Sequence, residues 1–253
     1  MTGNEYLLQI VRNKTSNVSE DVICKNISTL ISDIKKWANG CLEDIYISGS
    51  RAKGTAIKGS SDIDLLISLK STTNNTLSQI YNSLFNNLNN KYTIRKQNVS
   101  LGINYNNYKI DLVPAKKQSG HTNDHSLYCS KQDTWMQTNI QENINYVANS
   151  GRLNEIKLIK IWTLIHKLDF PSMYIEYVVI EALKNKRTDS NYLADNVWTV
   201  FKYLSNSFLN TRFIDIANSN NIISEMLNTS EKNLIVAKAK IALAQTDWKN
   251  IIW

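Results

Sequence analysis

The sequence has few of the residues and segments that are typical of flexible, disulfide-rich or membrane-spanning proteins. It contains only 2 prolines and 8 glycines among 253 residues, so long flexible linkers are not expected. Its 3 cysteines form an odd set without a Cys-x-x-Cys pair, which argues against a disulfide framework and a structural zinc site. No apolar stretch approaches the roughly 20 residues of a membrane-spanning helix, and the N-terminus lacks a signal-peptide pattern. We therefore expect a cytoplasmic protein with reduced thiols and no membrane partner.

The composition is that of a globular protein with a basic surface. Apolar residues make up 42% and charged residues 20%, as in ordinary soluble domains. The net charge of +7 favours a polyanionic partner, either nucleoside triphosphates, with ATP first, or RNA or another polyanion. The basic residues are scattered, and even the densest groups, at 116–117 and 184–187, do not form a nucleic-acid stripe. A generally basic surface is therefore the alternative that the pattern favours.

Hydrophobic periodicity divides the chain into an α/β first half and a helical second half. In the first half, helical spacing runs over 19–39 and 77–88, and short β-branched or aromatic runs predict strands near 45–47, 63–69, 92–94, 99–103 and 108–113. A polar loop follows at 119–123. From about Ile140 onward the pattern is helical, with clear helices predicted over 155–167, 175–183, 193–204 and 234–244.

Two acidic residues stand within an apolar run of the first half. Asp62 and Asp64 are two positions apart on a predicted strand, so their carboxylates share one face while Ile63 and Leu65 point to the other. Neighbouring carboxylates in a buried strand destabilise a fold unless a counter-charge neutralises them. Oxygen ligands of this kind are those that Mg²⁺ prefers. The pair therefore predicts a divalent cation site.

A third acid lies on a later predicted strand. Asp111 stands between Ile110 and Leu112, which we expect to face the core. If this strand lies beside that of Asp62 and Asp64, Asp111 completes the set of three carboxylates that a two-metal phosphoryl-transfer site requires. One ion of such a site activates the attacking hydroxyl, and the other holds the triphosphate.

Gly49 and Ser50 supply the features of a phosphate site. A strand that runs into glycine, serine and then a helix start presents unpaired backbone N–H groups and a hydroxyl. Glycine also lets the backbone approach a phosphate closely. Alone, a Gly-Ser pair is usually a turn, and an Asp-x-Asp is usually a solvated loop or a cap. Both motifs in this order, with Asp111 downstream, favour the catalytic interpretation.

These motifs together resemble the polymerase-β-like nucleotidyltransferase superfamily. Its signature is a hydrophobic strand, Gly-Ser, Asp-x-Asp with a hydrophobic continuation and a later Asp, which match positions 47–50, 61–65 and 110–112. The Gly-Ser-x-x-x-Gly-Thr form at 49–55 is similar to one branch of it. That branch contains oligoadenylate synthetases, archaeal CCA-adding enzymes and bacterial cGAS/DncV-like nucleotidyltransferases.

The resemblance also implies further nucleotide-binding residues. Lys160, within Leu-Ile-Lys-Ile-Trp, is similar to a helix lysine that contacts the donor triphosphate in these relatives. Ser172 resembles a serine of a short Ser-x-x-x-Glu element that reaches the phosphates, and Ser61, beside the acid pair, is assigned to the nucleotide as well. Taken alone, Lys160 is equally well a solvated helical charge, and Ser172 a helix N-cap after Pro171.

The resemblance implies an α+β, two-lobed nucleotidyltransferase fold, in which a mixed β-sheet core with helices is joined to a C-terminal helical lobe. We predict the catalytic core over 1–135 and the helical lobe over 136–253, with the N-terminal helix packed on the second lobe. The implied enzyme is a nucleotidyltransferase of EC 2.7.7 type with two Mg²⁺ (or Mn²⁺) ions on Asp62, Asp64 and Asp111. It releases pyrophosphate and makes a cyclic or linear oligonucleotide second messenger in antiphage defence.

Two other functions remain as alternatives. One is terminal nucleotidyl transfer to RNA 3′ ends or to another hydroxyl acceptor. The other is a non-catalytic nucleotide-binding sensor or antitoxin, against which the presence of all three acids argues. The sequence does not indicate an oligomeric state.

Several further residues have an ambiguous pattern. Arg51 and Lys53 either offset phosphate charge or belong to a solvated loop. His121 and His125 have a spacing that suits zinc on a helix, but they stand at a polar loop without a third ligand, so we expect them at the surface. Trp135 is more consistent with a core residue than with a base-stacking one.

Overall fold

The computed structural model describes residues 1–16, 18–60, 62–120 and 122–253. These residues form two compact units. The first, here the sheet unit, contains Asn17–Ala52 and Ser61–Ile144. The second, here the helical unit, contains Met1–Ser16, Lys53–Ser60 and Asn145–Trp253. A mixed sheet with helices, followed by a largely helical half, is the α+β fold that the sequence predicts.

Helices and strands are numbered along the chain. The first part of the chain carries α1 (Gly3–Lys14), α2 (Glu20–Asn26), α3 (Ser28–Ala38), β1 (Leu42–Ser48), α4 (Gly49–Ala52), β2 (Ile63–Leu69), α5 (Leu77–Asn89), β3 (Ile94–Lys96), β4 (Leu101–Tyr105), β5 (Tyr108–Lys117), β6 (His125–Cys129) and β7 (Thr134–Thr138). The remainder carries α6 (Ile140–Ala148), α7 (Leu153–Ile165), α8 (Ser172–Ala182), α9 (Leu193–Asn206), β8 (Ile214–Asp215), β9 (Asn218–Ile222) and α10 (Thr229–Leu243).

The sheet unit is built on a seven-stranded sheet in the order β1-β2-β5-β4-β3, extended by β6 beside β5 and β7 beside β6. β2 and β5 are parallel, and the other neighbours are antiparallel. β5 continues through Pro114, beyond the end of the strand predicted over 108–113. Pro114 lies between the part of β5 that pairs with β4 and the part that pairs with β6, so its missing N–H falls where β5 changes partners on that side.

The two faces of β2 have different surroundings. Ile63, Leu65 and Ile67 are buried in one core with apolar residues of α2, α3 and α5. Leu66 belongs to a separate small cluster with Ala115 and Leu127. Because side chains alternate along a strand, Asp64 lies on the face of Leu66, away from these helices.

The helical unit has a core of its own. Its large fully buried side chains include Trp162, Tyr174, Phe201 and Phe208. The helices predicted in this half are confirmed as α7 to α10, although three of them begin earlier than predicted. The first turn of α10 is polar and is held by an Asn228–Glu231 capping box, so apolar periodicity alone detects only the later turns.

The N-terminal helix and a short internal segment also belong to the helical unit. α1 contributes Leu7, Ile10 and Val11 to its core. The segment Lys53–Ser60, here the docked segment, is joined to the end of α1 by backbone hydrogen bonds, from Ser16 N to Ala56 O (3.2 Å) and from Lys58 N to Lys14 O (2.7 Å). The compact units thus divide the chain differently from the predicted 1–135 and 136–253, and that boundary stays a prediction about functional domains.

Several smaller features complete the fold. The helix expected over 19–39 is two helices, α2 and α3, which meet at Ile27. The strands β6, β7, β8 and β9 were not predicted, because they are short and rich in polar residues. Cys24 and Cys41 are exposed and Cys129 is buried, and all three are free. In the part of the chain that the structure describes, no helix combines the length and the apolar character needed to cross a membrane.

His125 is buried in β6 at 4% exposure, so the expectation of a surface residue is wrong; His121 lies outside the described residues. The Nδ1 atom of His125 is 2.9 Å from the carbonyl oxygen of Asn123. A carbonyl only accepts, so Nδ1 carries the proton, and Nε2 accepts a hydrogen bond from the Ser68 hydroxyl at 2.8 Å. The imidazole is therefore a neutral link between β2 and β6, and burial lowers the pKa of His125.

The substitution His125→Gln is expected to reduce the acid sensitivity of the fold. Because the pKa of folded His125 is depressed, the unfolded chain takes up the proton first as the pH falls below about 6.5. Wild-type stability should therefore decrease from pH 7.5 to 5.5 by up to about 1.4 kcal/mol per pH unit more than that of the variant. Urea unfolding at both pH values measures this difference. Equal pH dependence in the two proteins would contradict the assignment.

Candidate active site

The strands that carry the three acids are neighbours. β2 and β5 pair in parallel, and their register places Asp64 directly opposite Asp111. The adjacency on which the sequence argument for Asp111 depended is therefore confirmed. Ile110 and Leu112 are fully buried, so Asp111 emerges on the same face as Asp64. Asp62 comes just before β2 and, two residues from Asp64, has the same parity.

Neighbouring residues hold one carboxylate oxygen of Asp111 and shift its pKa. Gln97 donates from Nε2 to Asp111 Oδ1 at 2.7 Å. Gly102 on β4 is the register partner of Asp111. A Cβ at Gly102 would lie 2.7 Å from Gln97 Nε2 and 3.3 Å from Asp111 Oδ1. Burial raises the pKa of Asp111, the charge of Asp62 raises it further, and Gln97 and Arg95 partly oppose the shift.

Gly49 has a second role that the sequence does not reveal. It begins α4 directly after β1, with a φ of +62° that disfavours any residue with a Cβ. A Cβ at Gly49 would lie 1.8 Å from Asp64 Oδ2. The Asp64 carboxylate therefore rests against the Gly49 backbone, which brings the Gly-Ser motif and the second acid together within the sheet unit. Ser50 follows, partly exposed, in α4.

The other predicted nucleotide-binding residues are placed differently. Ser61 lies outside the described residues. Lys160 on α7 and Ser172 on α8 both belong to the helical unit. Ser172 is exposed and is the first residue of α8, whose N-cap is Pro171 and lacks a side-chain hydrogen bond, so the alternative of a Ser172 N-cap is wrong. Lys160 is only 5% exposed, so it is not a solvated helical charge.

Lys160 is part of a buried network centred on Glu176 of α8. Its Nζ lies 2.7 Å from Glu176 Oε1, and Lys53 Nζ lies 2.9 Å from Glu176 Oε2. Thr55 Oγ1 donates to Glu176 Oε1 at 2.9 Å and accepts from Lys160 Nζ at 2.9 Å. Glu176 is 1% exposed and Lys53 is 9% exposed. The reading of Lys53 as part of a solvated loop is therefore wrong.

The two lysines of this network keep Glu176 ionised. Burial by itself would raise the pKa of Glu176, but Lys160 and Lys53 outweigh it and hold this pKa below its ordinary value. Two ammonium groups then share the Glu176 carboxylate. Glu176 and the buried state of Lys53 were missed by sequence reasoning, although Glu176 stands in the Ser-x-x-x-Glu element.

The structure also places the aromatic candidate Trp135 and the basic candidate Arg51. Trp135 lies on β7 and is 57% exposed, so it is not a core residue. Arg51 lies in α4 and is partly buried. Both belong to the sheet unit.

The three acids fit a divalent cation by their chemistry. They offer hard oxygen ligands. Burial is the main cause of the raised pKa of Asp111, and the charge of Asp62 adds a repulsion that a cation would relieve. Within the described residues, no group of three or more His, Cys, Asp or Glu side chains is gathered closely enough to hold a metal ion.

The sequence of residues 1–150 matches the Second Messenger Oligonucleotide or Dinucleotide Synthetase domain. The chain belongs to this synthetase family. The predicted superfamily of polymerase-β-like nucleotidyltransferases, and its bacterial cGAS/DncV-like branch, are thereby confirmed. A search of curated proteins finds no significant match.

Solved structures share the fold of this synthetase family member at low sequence identity. CdnC of E. coli MS115-1 with ATP has a TM-score of 0.76 and 18% identity, covering 95% of this chain and 90% of that one. The CdnE cyclic dinucleotide synthase of Elizabethkingia meningoseptica, with GTP and Apcpp, has a TM-score of 0.70 and 11% identity, covering 97% and 100%. The poly(U) polymerase Cid1, bound to MgATP, has a TM-score of 0.67 and 11% identity, covering 95% and 93%.

The substitution Glu176→Gln is expected to destabilise the helical unit strongly. It leaves Lys53 and Lys160 buried beside a neutral amide, and breaking a buried ion pair in this way costs about 3–5 kcal/mol. Glu181→Gln, an exposed change on the same helix, is the matched control and should cost less than about 0.5 kcal/mol. Denaturant unfolding of both variants tests this, and similar losses would contradict the network.

The substitution Gly49→Ala should displace Asp64. Gly59→Ala is the matched control, because Gly59 has a φ of +76° but nothing within 4 Å of an added Cβ. In both variants, alanine in the left-handed conformation should lower the free energy of unfolding by about 1–2 kcal/mol. Gly49→Ala should lower it further because the added Cβ clashes with Asp64. Unfolding free energies and a crystal structure of each variant measure the difference. An unmoved Asp64 carboxylate would refute the contact.

Proposed function

We propose that this synthetase transfers a nucleotidyl group from ATP or a related triphosphate to a nucleotide hydroxyl. The product is a cyclic or linear oligonucleotide second messenger, which the family resemblance links to antiphage defence. The observation that carries the proposal is the register of β2 and β5, which sets Asp64 opposite Asp111 while Asp64 rests on Gly49.

Asp62 and Asp64 are assigned to two Mg²⁺ (or Mn²⁺) ions, and Asp111 to the catalytic one. When bound, the ions stabilise the charge of the triphosphate and make the acceptor hydroxyl more acidic. Asp111 acts as the base that accepts the proton of that hydroxyl, or orients that base. The acceptor oxygen forms a bond to the α-phosphorus as the bond to the β-phosphate oxygen breaks, and pyrophosphate leaves.

The triphosphate is assigned to the Gly49-Ser50 turn, with Ser61, Lys160 and Ser172. Backbone N–H groups at the start of α4 and the Ser50 hydroxyl are donors for phosphate oxygens. The ammonium groups of Lys53 and Lys160 also favour an anionic ligand. ATP as donor is supported by the structure of CdnC with ATP, and a divalent cation by that of Cid1 with MgATP.

The double variant Asp62→Asn with Asp64→Asn should lose nucleotidyl transfer. Purified protein with the four NTPs and Mg²⁺ or Mn²⁺ should release pyrophosphate, and the variant should do so at least about 100-fold more slowly, since metal stabilisation contributes several kcal/mol. Asp21→Asn with Asp44→Asn, two exposed acids of the sheet unit, is the charge-matched control and should keep full activity. Turnover that survives the first double change would remove the assignment.

Analysis of the products separates the proposal from its alternatives. Mass spectrometry should find cyclic or linear oligonucleotides made from free NTPs. Extension of an added RNA, with steeply salt-dependent binding, would instead indicate a terminal transferase. A bound NTP that stays intact in Mg²⁺ would indicate a non-catalytic sensor.

A further inference from the structure

The helical unit contains a cavity formed by residues that the proposed reaction does not use. It has a volume of about 290 Å³ and lies between the start of α9 and the chain that follows α10. Its walls include Asp195 and Trp198 on one side and Asp247 and Trp248 on the other. Aromatic rings and acidic groups thus occur together on both sides of one cavity.

The two tryptophans form a right-angled corner. Their ring centroids are 5.8 Å apart, and the ring planes cross at 81°. Trp248 is fixed from behind by the backbone of α1, because a Cβ at Gly3 would lie only 2.6 Å from its Nε1 atom. Both residues are partly buried against the core of the helical unit. Tryptophan is the aromatic side chain that attracts cations most strongly, and groups of aromatic rings recognise quaternary ammonium ligands.

The carboxylates add negative charge to the same cavity. Asp195 precedes Trp198 by one helical turn on α9, so both side chains lie on one face of the helix. Asp247 directly precedes Trp248, and its Oδ1 atom accepts from the N–H of Lys249 at 3.0 Å, which fixes its orientation.

The cavity lacks a cation of the protein itself. In the described residues, neither Asp195 nor Asp247 has a lysine or arginine within ion-pair distance, and no lysine or arginine lies over either indole ring. The chain has 29 basic against 22 acidic residues, so cationic side chains are plentiful elsewhere. Among the described residues, these two exposed carboxylates beside the indole rings therefore have no cationic side-chain partner, although Asp247 accepts a backbone hydrogen bond.

We propose that this corner binds an organic cation, namely an alkylammonium or guanidinium group. The indole faces attract it through the cation–π interaction, and Asp195 and Asp247 neutralise its charge. The group is supplied either by a free amine or by a lysine or arginine side chain of a polypeptide, since both present the same chemistry. This site is independent of the proposed nucleotidyl transfer.

The test compares a cation with its neutral isostere. The full chain is titrated by calorimetry and NMR with choline, with 3,3-dimethyl-1-butanol, and with N-acetyl-lysine and N-acetyl-arginine amides. We expect choline or one of the capped amino acids to bind and the alcohol not to bind. The tightest of the cations identifies the source of the group. Equal binding of the alcohol, or no binding of any cation up to about 50 mM, would overturn the proposal.

Variants locate the binding in the corner. Asp195→Asn with Asp247→Asn should weaken binding about tenfold, because each exposed charge contributes a factor of roughly three. Asparagine still caps the turn after position 247, so the fold is kept. The control is Asp169→Asn with Asp189→Asn, where Asp189 caps the turn at 190–192 through the same contact outside the cavity. Unchanged affinity in the first variant, or an equal loss in the control, would place the cation elsewhere and refute the site.

Discussion

The parallel pairing of β2 with β5 is the constraint on which the architecture of the candidate site depends. Parallel strands need a crossover connection, and here it includes α5 and the β3-β4 hairpin. The apolar sides of both strands are covered by helices of the sheet unit. This leaves the opposite face for side chains that cannot be buried without partners. Asp64 and Asp111 occupy that face at the same level of the sheet. The unfavourable free energy of placing two acids together is offset by the burial of apolar side chains on the other face.

Sequence patterns drew attention to the acids because each adjoins apolar strand residues. Asp62 and Asp64 adjoin Ile63 and Leu65, and Asp111 stands between two core residues, so an unpaired polar group at these positions required an explanation. The division into an α/β first half and a helical second half followed from periodicity, and the resemblance implied the α+β fold. Strand adjacency did not follow, because pairing between distant segments is set by tertiary packing and not by local pattern.

The residues that the sequence did not reveal act through distant contacts. Gln97 lies in the turn between β3 and β4, where no periodicity applies, and it reaches Asp111 only because β4 lies beside β5. Lys53 stands in a polar stretch that is typical of a solvated loop. Its burial depends on Glu176, more than a hundred positions later. His125 is similar, because its partner Ser68 is on another strand.

The docked segment has a consequence for how the chain can be divided. It follows α4 and precedes β2, but it folds with the helical unit, so the backbone passes between the two units at four points. No single cut therefore yields two self-contained fragments. A fragment of residues 17–144 would carry Ile57 and Thr55, which are 4% and 0% exposed in the whole chain, without the surroundings that bury them. Neither unit is one continuous segment of the chain, so neither can be exchanged as a single piece of sequence.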